Sequence, residues 1–213
     1  IWICTGDGLD YFDPLLGKFR HAEFRKHGHD AVPIKGRIND VLVLEDKVIC
    51  FGSSKVYQCR IDSDNRIFEE LDMGFIPLSV CKYDDSLFLA ADHKGIYAID
   101  LNTMTAGSFA SFQSSEYSNS ILHYSPITDR IYAGNGIGTS SAVFRYENGV
   151  IVRDTSFVPD NLMRVCDSNG KTFFGTNGNG LYLIENGMTT HLTVENGLTS
   201  DVVTAFCHDD QDN

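Results

Sequence analysis

The chain has no apolar run approaching the 18 or so residues a membrane-spanning helix needs, so no membrane span is expected in its 213 residues. It also lacks any sustained helical periodicity, heptad or low-complexity tract, which argues against bundles and coiled coils. Basic residues are scarce: 17 Lys and Arg face 29 Asp and Glu, for a net charge of −12. Nucleic-acid binding needs a basic patch to meet phosphates, so no nucleic acid is expected as a partner. The same charge disfavours contact with an anionic membrane surface and reads as a solubilising acidic surface. Cysteine occurs six times, at Cys4, Cys50, Cys59, Cys81, Cys166 and Cys207, but never as Cys-x-x-Cys. Metal-ligand spacing is therefore absent. Most of the six fall in or at the ends of strand-like runs, where cysteine acts as a small hydrophobe, so buried free thiols are expected. No Gly-x-Ser-x-Gly elbow appears. The Gly-rich pieces Gly134-Asn135-Gly136 and Asn177-Gly178-Asn179-Gly180 are followed by strand-like runs, not by the helix a nucleotide fingerprint requires.

What the chain does have is one pattern, written five times. A short apolar run ends in a small residue, a polar or Gly-rich turn follows, and a second apolar run ends in a polar residue. The copies are IWICTGDGLDYFD from Ile1, KVICFGSSKVYQCR from Lys47, LFLAADHKGIYAID from Leu87, IYAGNGIGTSSAVFRYE from Ile131 and TFFGTNGNGLYLIE from Thr172. The small residue is Cys4, Gly52, Ala90, Gly134 and Gly175; two positions earlier stand Trp2, Cys50, Phe88, Tyr132 and Phe173. The runs are short, rich in β-branched and aromatic residues, and bounded by Gly, Asn, Asp or Ser, so they are strands. Asn148-Gly149, Asn169-Gly170 and Asn186-Gly187 predict tight two-residue hairpins, and Asp62–Asn65 predicts a further turn. Further strands are expected before each copy, at Val41–Leu44, Leu78–Lys82, Ile121–Tyr124, Leu162–Cys166 and Val202–Cys207, and after the hairpins, at Lys18–Phe24, Arg66–Leu71 and Met188–Val194. Four strands per unit of about 42 residues is the size of one propeller blade. The predicted fold is all-β: a β-propeller of about five four-stranded repeats over residues 1–213, read as one domain. Arg25–Arg37 is expected to be a loop insertion.

Function on a propeller resides in loops held by a rigid scaffold. The loops between the first and second runs carry Asp7, Asp92, His93, Lys94, Asn135, Asn177 and Asn179. These are the candidate ligand-binding residues, since their donors and acceptors suit sugar hydroxyls. Asn177 and Asn179 are also ordinary turn formers. Trp2, Phe88, Tyr132 and Phe173 sit inside strands and are expected to be core between blades. His21, His27 and His29 lie near Glu23 and Asp30, but in a polar insertion where a solvated loop is the simpler reading. Asp209, Asp210 and Asp212 lack the Gly and distal Glu of a calcium loop and read as a hairpin. No catalytic residue, metal or cofactor is expected.

The last repeat and the tail resemble the two-component regulator propeller repeat. Asn196, Gly197, Leu198, Thr199 and Ser200 match the opening of its consensus; Phe174, Gly175, Thr176, Gly180 and Leu181 match its centre, and Ile1-Trp2-Ile3-Cys4-Thr5 matches with Cys4 in place of Gly. The middle copies depart more, with Cys50 for Trp and Ala90-Ala91 for Gly-Thr. The resemblance implies a non-enzymatic, periplasmic sensor domain of a hybrid two-component system of the Bacteroides type, the parent chain carrying a histidine kinase. It also implies a response to oligosaccharides, or to a neighbouring sensor domain, with signalling through a homodimer. The chain begins with Ile1 and opens on a strand, so no signal peptide is expected and something preceding is expected to have been removed. It is read as a fragment of a longer sensor. Either its five repeats close, Val202–Cys207 pairing with Ile1–Thr5, or they belong to a larger ring, usually of seven blades. A purely structural interaction propeller and, further off, a propeller lyase or lactonase are the alternatives.

Overall fold

The computed structural model describes residues 1–26, 29–61, 67–111, 121–134 and 141–207. Among them there are strands, turns and one short 3-10 helix, and no α-helix. The chain separates into two compact units, Ile1–Val80 and Cys81–Asn213. Among the described residues no helix is long and apolar enough to cross a membrane.

The first unit opens with β1 (Trp2–Cys4), β2 (Leu9–Asp13) and β3 (Lys18–His21), an antiparallel three-stranded sheet. The expected strand Lys18–Phe24 is in fact two. After His21 the chain leaves the first sheet, and β4 (Glu23–Phe24) pairs in parallel with β9 (Ile67–Leu71) of the next one. The insertion is not a simple loop either: β5 (Val32–Pro33) pairs with β4, so the two extend the sheet of β6 (Ile38–Val43), β7 (Lys47–Gly52), β8 (Val56–Arg60) and β9 to six strands, ordered β5-β4-β9-β8-β7-β6. The physical reason is edge coverage, because an uncovered β9 would present a row of unpaired backbone groups. The detour is anchored by Ala22 and Ile34, buried with Leu9, Tyr11, Cys50, Tyr57 and Phe68 in the core of this unit. Trp2 packs edge-on against Phe68 at 5.6 Å.

The second unit holds three antiparallel sheets of four strands in sequence order. The first contains β10 (Ser79–Lys82), β11 (Leu87–Ala91), β12 (Gly95–Asp100) and β13 (Ala106–Ser111); the second β14 (Ile121–Ser125), β15 (Arg130–Gly134), β16 (Ala142–Glu147) and β17 (Val150–Asp154); the third β18 (Leu162–Ser168), β19 (Lys171–Thr176), β20 (Leu181–Glu185) and β21 (Met188–Leu192). Each is a blade, and successive blades stack by their apolar faces. Leu89, Ile96, Leu122, Ile131 and Phe144 form one buried layer between the first two. Tyr132, Val143, Leu162, Val165 and Phe174 form the next. Tyr132 and Phe174 meet edge to face at 4.8 Å and 80°, a favoured aromatic geometry. A fully buried side chain of this size contributes about 1.5–3 kcal/mol. At Gly134 the small residue that closes the first run has a packing reason: a Cβ there would lie 3.1 Å from Leu162 Cβ of the following blade.

The predicted hairpins have the required geometry. Asn148 and Gly149, Asn169 and Gly170, and Asn186 and Gly187 all adopt positive φ, near 50° and 75° in the last pair, as a type I′ turn demands. The hairpin expected at Asp62–Asn65 and the acidic run Asp209–Asp212 lie outside the described residues. Val202–Cys207 is not a strand: Val202 makes one isolated bridge to Asn177, and residues 203–207 belong to no sheet. Val203 instead lies close over Gly175, and Phe206 packs 6.2 Å from Phe173. Of the aromatic column, Phe88 and Tyr132 are fully buried, whereas Trp2 and Phe173 are half-buried. All six cysteines are free thiols, but only Cys50 and Cys59 are buried; Cys4 and Cys207 are exposed.

Candidate functional site

The turn that carries Asp7 joins the first two strands of its sheet, β1 and β2, whereas the turns that carry Asp92 and the Asn177–Asn179 pair join the second and third strands of theirs. Asp7 is exposed, and its turn is tied down by the insertion: Gly36 N donates to Asp7 O at 3.2 Å. Asp92 is 8 % exposed, and its carboxylate is engaged within the turn. Oδ1 accepts from Lys94 N at 2.7 Å and Gly95 N at 3.0 Å, and Oδ2 from the Tyr97 hydroxyl at 3.2 Å. Burial first, and then the facing Asp92 carboxylate, push Tyr97 up to about 12, so the phenol stays protonated and donates this hydrogen bond at neutral pH. His93 and Lys94 are exposed beside it. Asn135 lies outside the described residues, as does His27 of the histidine-rich insertion.

Asn177 and Asn179 occupy the β19–β20 turn, which has the most elaborate support. Asn177 N donates to Asn161 O at 2.9 Å in the connection from the preceding blade. Gly178 N and Gly180 N both donate to Asp201 O, and Val203 N to Thr176 O. Asn179 N donates to Thr176 Oγ1 at 3.0 Å. The segment after β21 is held in turn by a 3-10 helix, Val194–Asn196, with a capping box between Thr193 and Asn196, and by Val194 N donating to Asp201 Oδ1 at 2.9 Å. Backbone groups supply most of these bonds. Among the described residues none takes up the side-chain amide of Asn179, which is exposed, while Asn177 is half-buried.

An aromatic group adjoins this turn. Tyr182 on β20 and His191 on β21 are directly paired across the strands. Their rings stack at 3.9 Å, 5° from parallel. Phe157, in the connection between the second and third blades, lies 5.4 Å from Tyr182 and is 45 % exposed. His191 Nε2 lies 2.7 Å from Asn179 O, so one hydrogen bond couples the ring stack to the Asn turn. The sequence reading did not single out Phe157, Tyr182 or His191. The pairing of two of them is nonetheless readable, because a two-residue turn at Asn186-Gly187 sets Tyr182 opposite His191.

A second polar constellation lies between the second and third blades. Asp167 Oδ1 accepts from Ser125 Oγ at 2.8 Å and Thr172 Oγ1 at 2.7 Å, and its Oδ2 lies 3.1 Å from His123 Nε2. Burial alone would raise the Asp167 carboxyl, but the hydrogen bonds from His123, Thr172 and Ser125 more than offset it and hold it below the usual carboxylate range. The residue types are those of a hydrolase triad; the order is not. Nucleophilic catalysis needs the serine bonded to the base, and here Ser125 bonds to the acid, fully buried. This is a polar clamp between sheets. Among the described residues no group of three or more His, Cys, Asp or Glu is placed to hold a metal ion.

No family model and no curated protein sequence matches the chain. Solved structures do match its fold. The extracellular domain of a putative one component system from B. thetaiotaomicron superposes with a TM-score of 0.70 at 16 % identity, over 100 % of this chain and 29 % of that one. Virginiamycin B lyase from Staphylococcus aureus gives 0.64 at 12 % identity, over 90 % of this chain and 65 % of the lyase. Kuenenia stuttgartiensis hydrazine synthase gives 0.58 at 16 % identity, over 88 % and 60 %. The chain thus spans less than two thirds of the length of each. The likeness is one of fold, a β-propeller-like array of four-stranded blades.

Proposed function

We propose that this chain is a non-enzymatic recognition propeller in the extracytoplasmic part of a signalling protein, and that its ligand is an oligosaccharide. One observation carries the reading: among the described residues, the well-anchored β19–β20 turn holds an exposed, unengaged amide beside the exposed rings of Phe157 and His191, while the triad-like group at Asp167 is buried and wired as a clamp. That combination suits binding without chemistry. The fold-level match to the extracellular domain of a one component system supports a sensor role and a periplasmic location. The repeat text that resembles two-component regulator propellers supports a hybrid histidine kinase as the parent chain, with output through a homodimer.

The test is a thermal-shift screen of this chain against neutral and acidic oligosaccharides. A ligand at 100 times its Kd stabilises the folded state by about 2.7 kcal/mol, which in a domain of this size raises Tm by roughly 5–10 °C. Such a shift, with the sugar recovered unchanged, is the expected result. No shift with any sugar would leave the array an interaction scaffold. Cleaved sugar would restore the lyase reading.

A further inference from the structure

We infer that the turn end of the third blade in the second unit is a stacking platform for a neutral hexopyranose: the outward face of His191, backed by the half-buried Tyr182 ring stacked on its other side, and the exposed Phe157 take its apolar face, and the amides of Asn179 and Asn177 take its hydroxyls. This rests on the recognition reading and extends it by naming the site and the ligand class.

The argument starts from ring exposure. Phe174 and Tyr132, in the neighbouring layer, are 0 % and 1 % exposed, but Phe157 is 45 % exposed and His191 is exposed as well. Exposed aromatics grouped together, unlike single ones, mark a binding surface. A pyranose is amphipathic in the same sense as these rings: one face of C–H groups, an edge of hydroxyls. It needs a flat apolar partner flanked by amide donors and acceptors. Both are present, and both are rigid. Cross-strand pairing fixes Tyr182 opposite His191. The contact between Nε2 and Asn179 O at 2.7 Å fixes the tilt of the imidazole. Asp201, through its backbone oxygen, holds Gly178 and Gly180 on either side of Asn179. Little ordering entropy therefore remains to be lost on binding, which favours affinity. Charge selects the class further. The whole chain carries −12, so a neutral sugar is favoured over a uronate.

Isothermal titration of the chain with cellotetraose, maltotetraose, mannotetraose and tetragalacturonate tests this, with His191→Ala, Phe157→Ala and Asn179→Ala alongside. The expected result is saturable binding of a neutral tetrasaccharide, weakened about tenfold by either ring deletion and about threefold to tenfold by Asn179→Ala, the losses typical of one stacking or hydrogen-bonding partner. Asn179→Ala removes an exposed amide that bonds to nothing among the described residues, so its Tm should stay within about 2 °C of the parent. It keeps the test valid if His191→Ala loosens β21. Neutral-sugar binding that all three variants retain within twofold would overturn the site while leaving the recognition reading intact. Binding of tetragalacturonate alone would overturn the ligand class. Failure of the parent chain to bind any of the four would overturn both.

Discussion

Asp167→Ala should be among the most damaging single substitutions in the second unit, and its cost can be worked out group by group. The carboxylate is the shared acceptor for two hydroxyls, Ser125 Oγ and Thr172 Oγ1, each on a residue that is 0 % exposed. With it gone, the two hydroxyls, already 2.8 Å apart, can satisfy one donor between them. One buried donor remains without a partner, at about 1–3 kcal/mol, and the contact with His123 is lost as well. The total is about 2–4 kcal/mol, or a fall in Tm of roughly 5–15 °C. The dependence on pH follows from the direction of the shift. The carboxyl is depressed in the folded chain, so its contribution is complete above the unfolded value of about 3.9 and disappears as pH falls through the lower folded value. Urea melts of parent and variant should differ by a constant amount from pH 7 to pH 5, and the gap should narrow below about pH 4. A variant as stable as its parent, or a gap that persists undiminished at pH 3, would refute the clamp.

Three further outcomes are expected. Gly95→Ala places a methyl 2.0 Å from Ala110 O on the adjacent strand, and should cost several kcal/mol by forcing β12 from β13, as overpacking does; Gly6→Ala, with nothing within 4 Å, should change stability by less than about 1 kcal/mol, and equal melts for the two would contradict this. Cys4 is exposed as a residue, yet desolvation of its thiol, and then the Asp40 carboxylate, raise it to about 11, and burial raises Cys50 to about 12; at pH 7.5 both should alkylate slowly in the folded chain, with Cys207, exposed, labelled first by mass spectrometry. Phe174→Ala opens a cavity between the second and third blades, where the ring is 0 % exposed, and should cost about 3–5 kcal/mol in chemical denaturation.

The blades were legible because their information is local. Each hairpin is written in two residues, and Asn186-Gly187 fixes both its turn and the register of β20 on β21. The apolar columns map onto the layers between sheets because period-two alternation needs only one strand to be read. Three features escaped for the opposite reason. The parallel pairing of Glu23–Phe24 with Ile67–Phe68 joins segments some forty residues apart, with no turn to announce it. The Asp167 clamp draws on two blades; its trace in the sequence is Thr172, polar where the other four copies carry Ile1, Ile49, Leu87 and Ile131. Val202–Cys207 has strand composition, yet its course is set by tertiary contacts, with Val203 lying over Gly175, and propensity does not report those. At the candidate site, Asn177 and Asn179 were visible as turn residues, and the Tyr182–His191 stack could have been counted from the hairpin. Phe157 could not, because a connection between blades carries no periodicity.

The most direct measurement of the central claim is a titration of the folded chain with a neutral tetrasaccharide, followed by carbon–proton NMR of the aromatic and imidazole groups. The signals of His191, Tyr182 and Phe157 should move saturably while the sugar is recovered intact. Saturable binding that leaves those three signals unmoved, or a sugar returned as fragments, would contradict the claim.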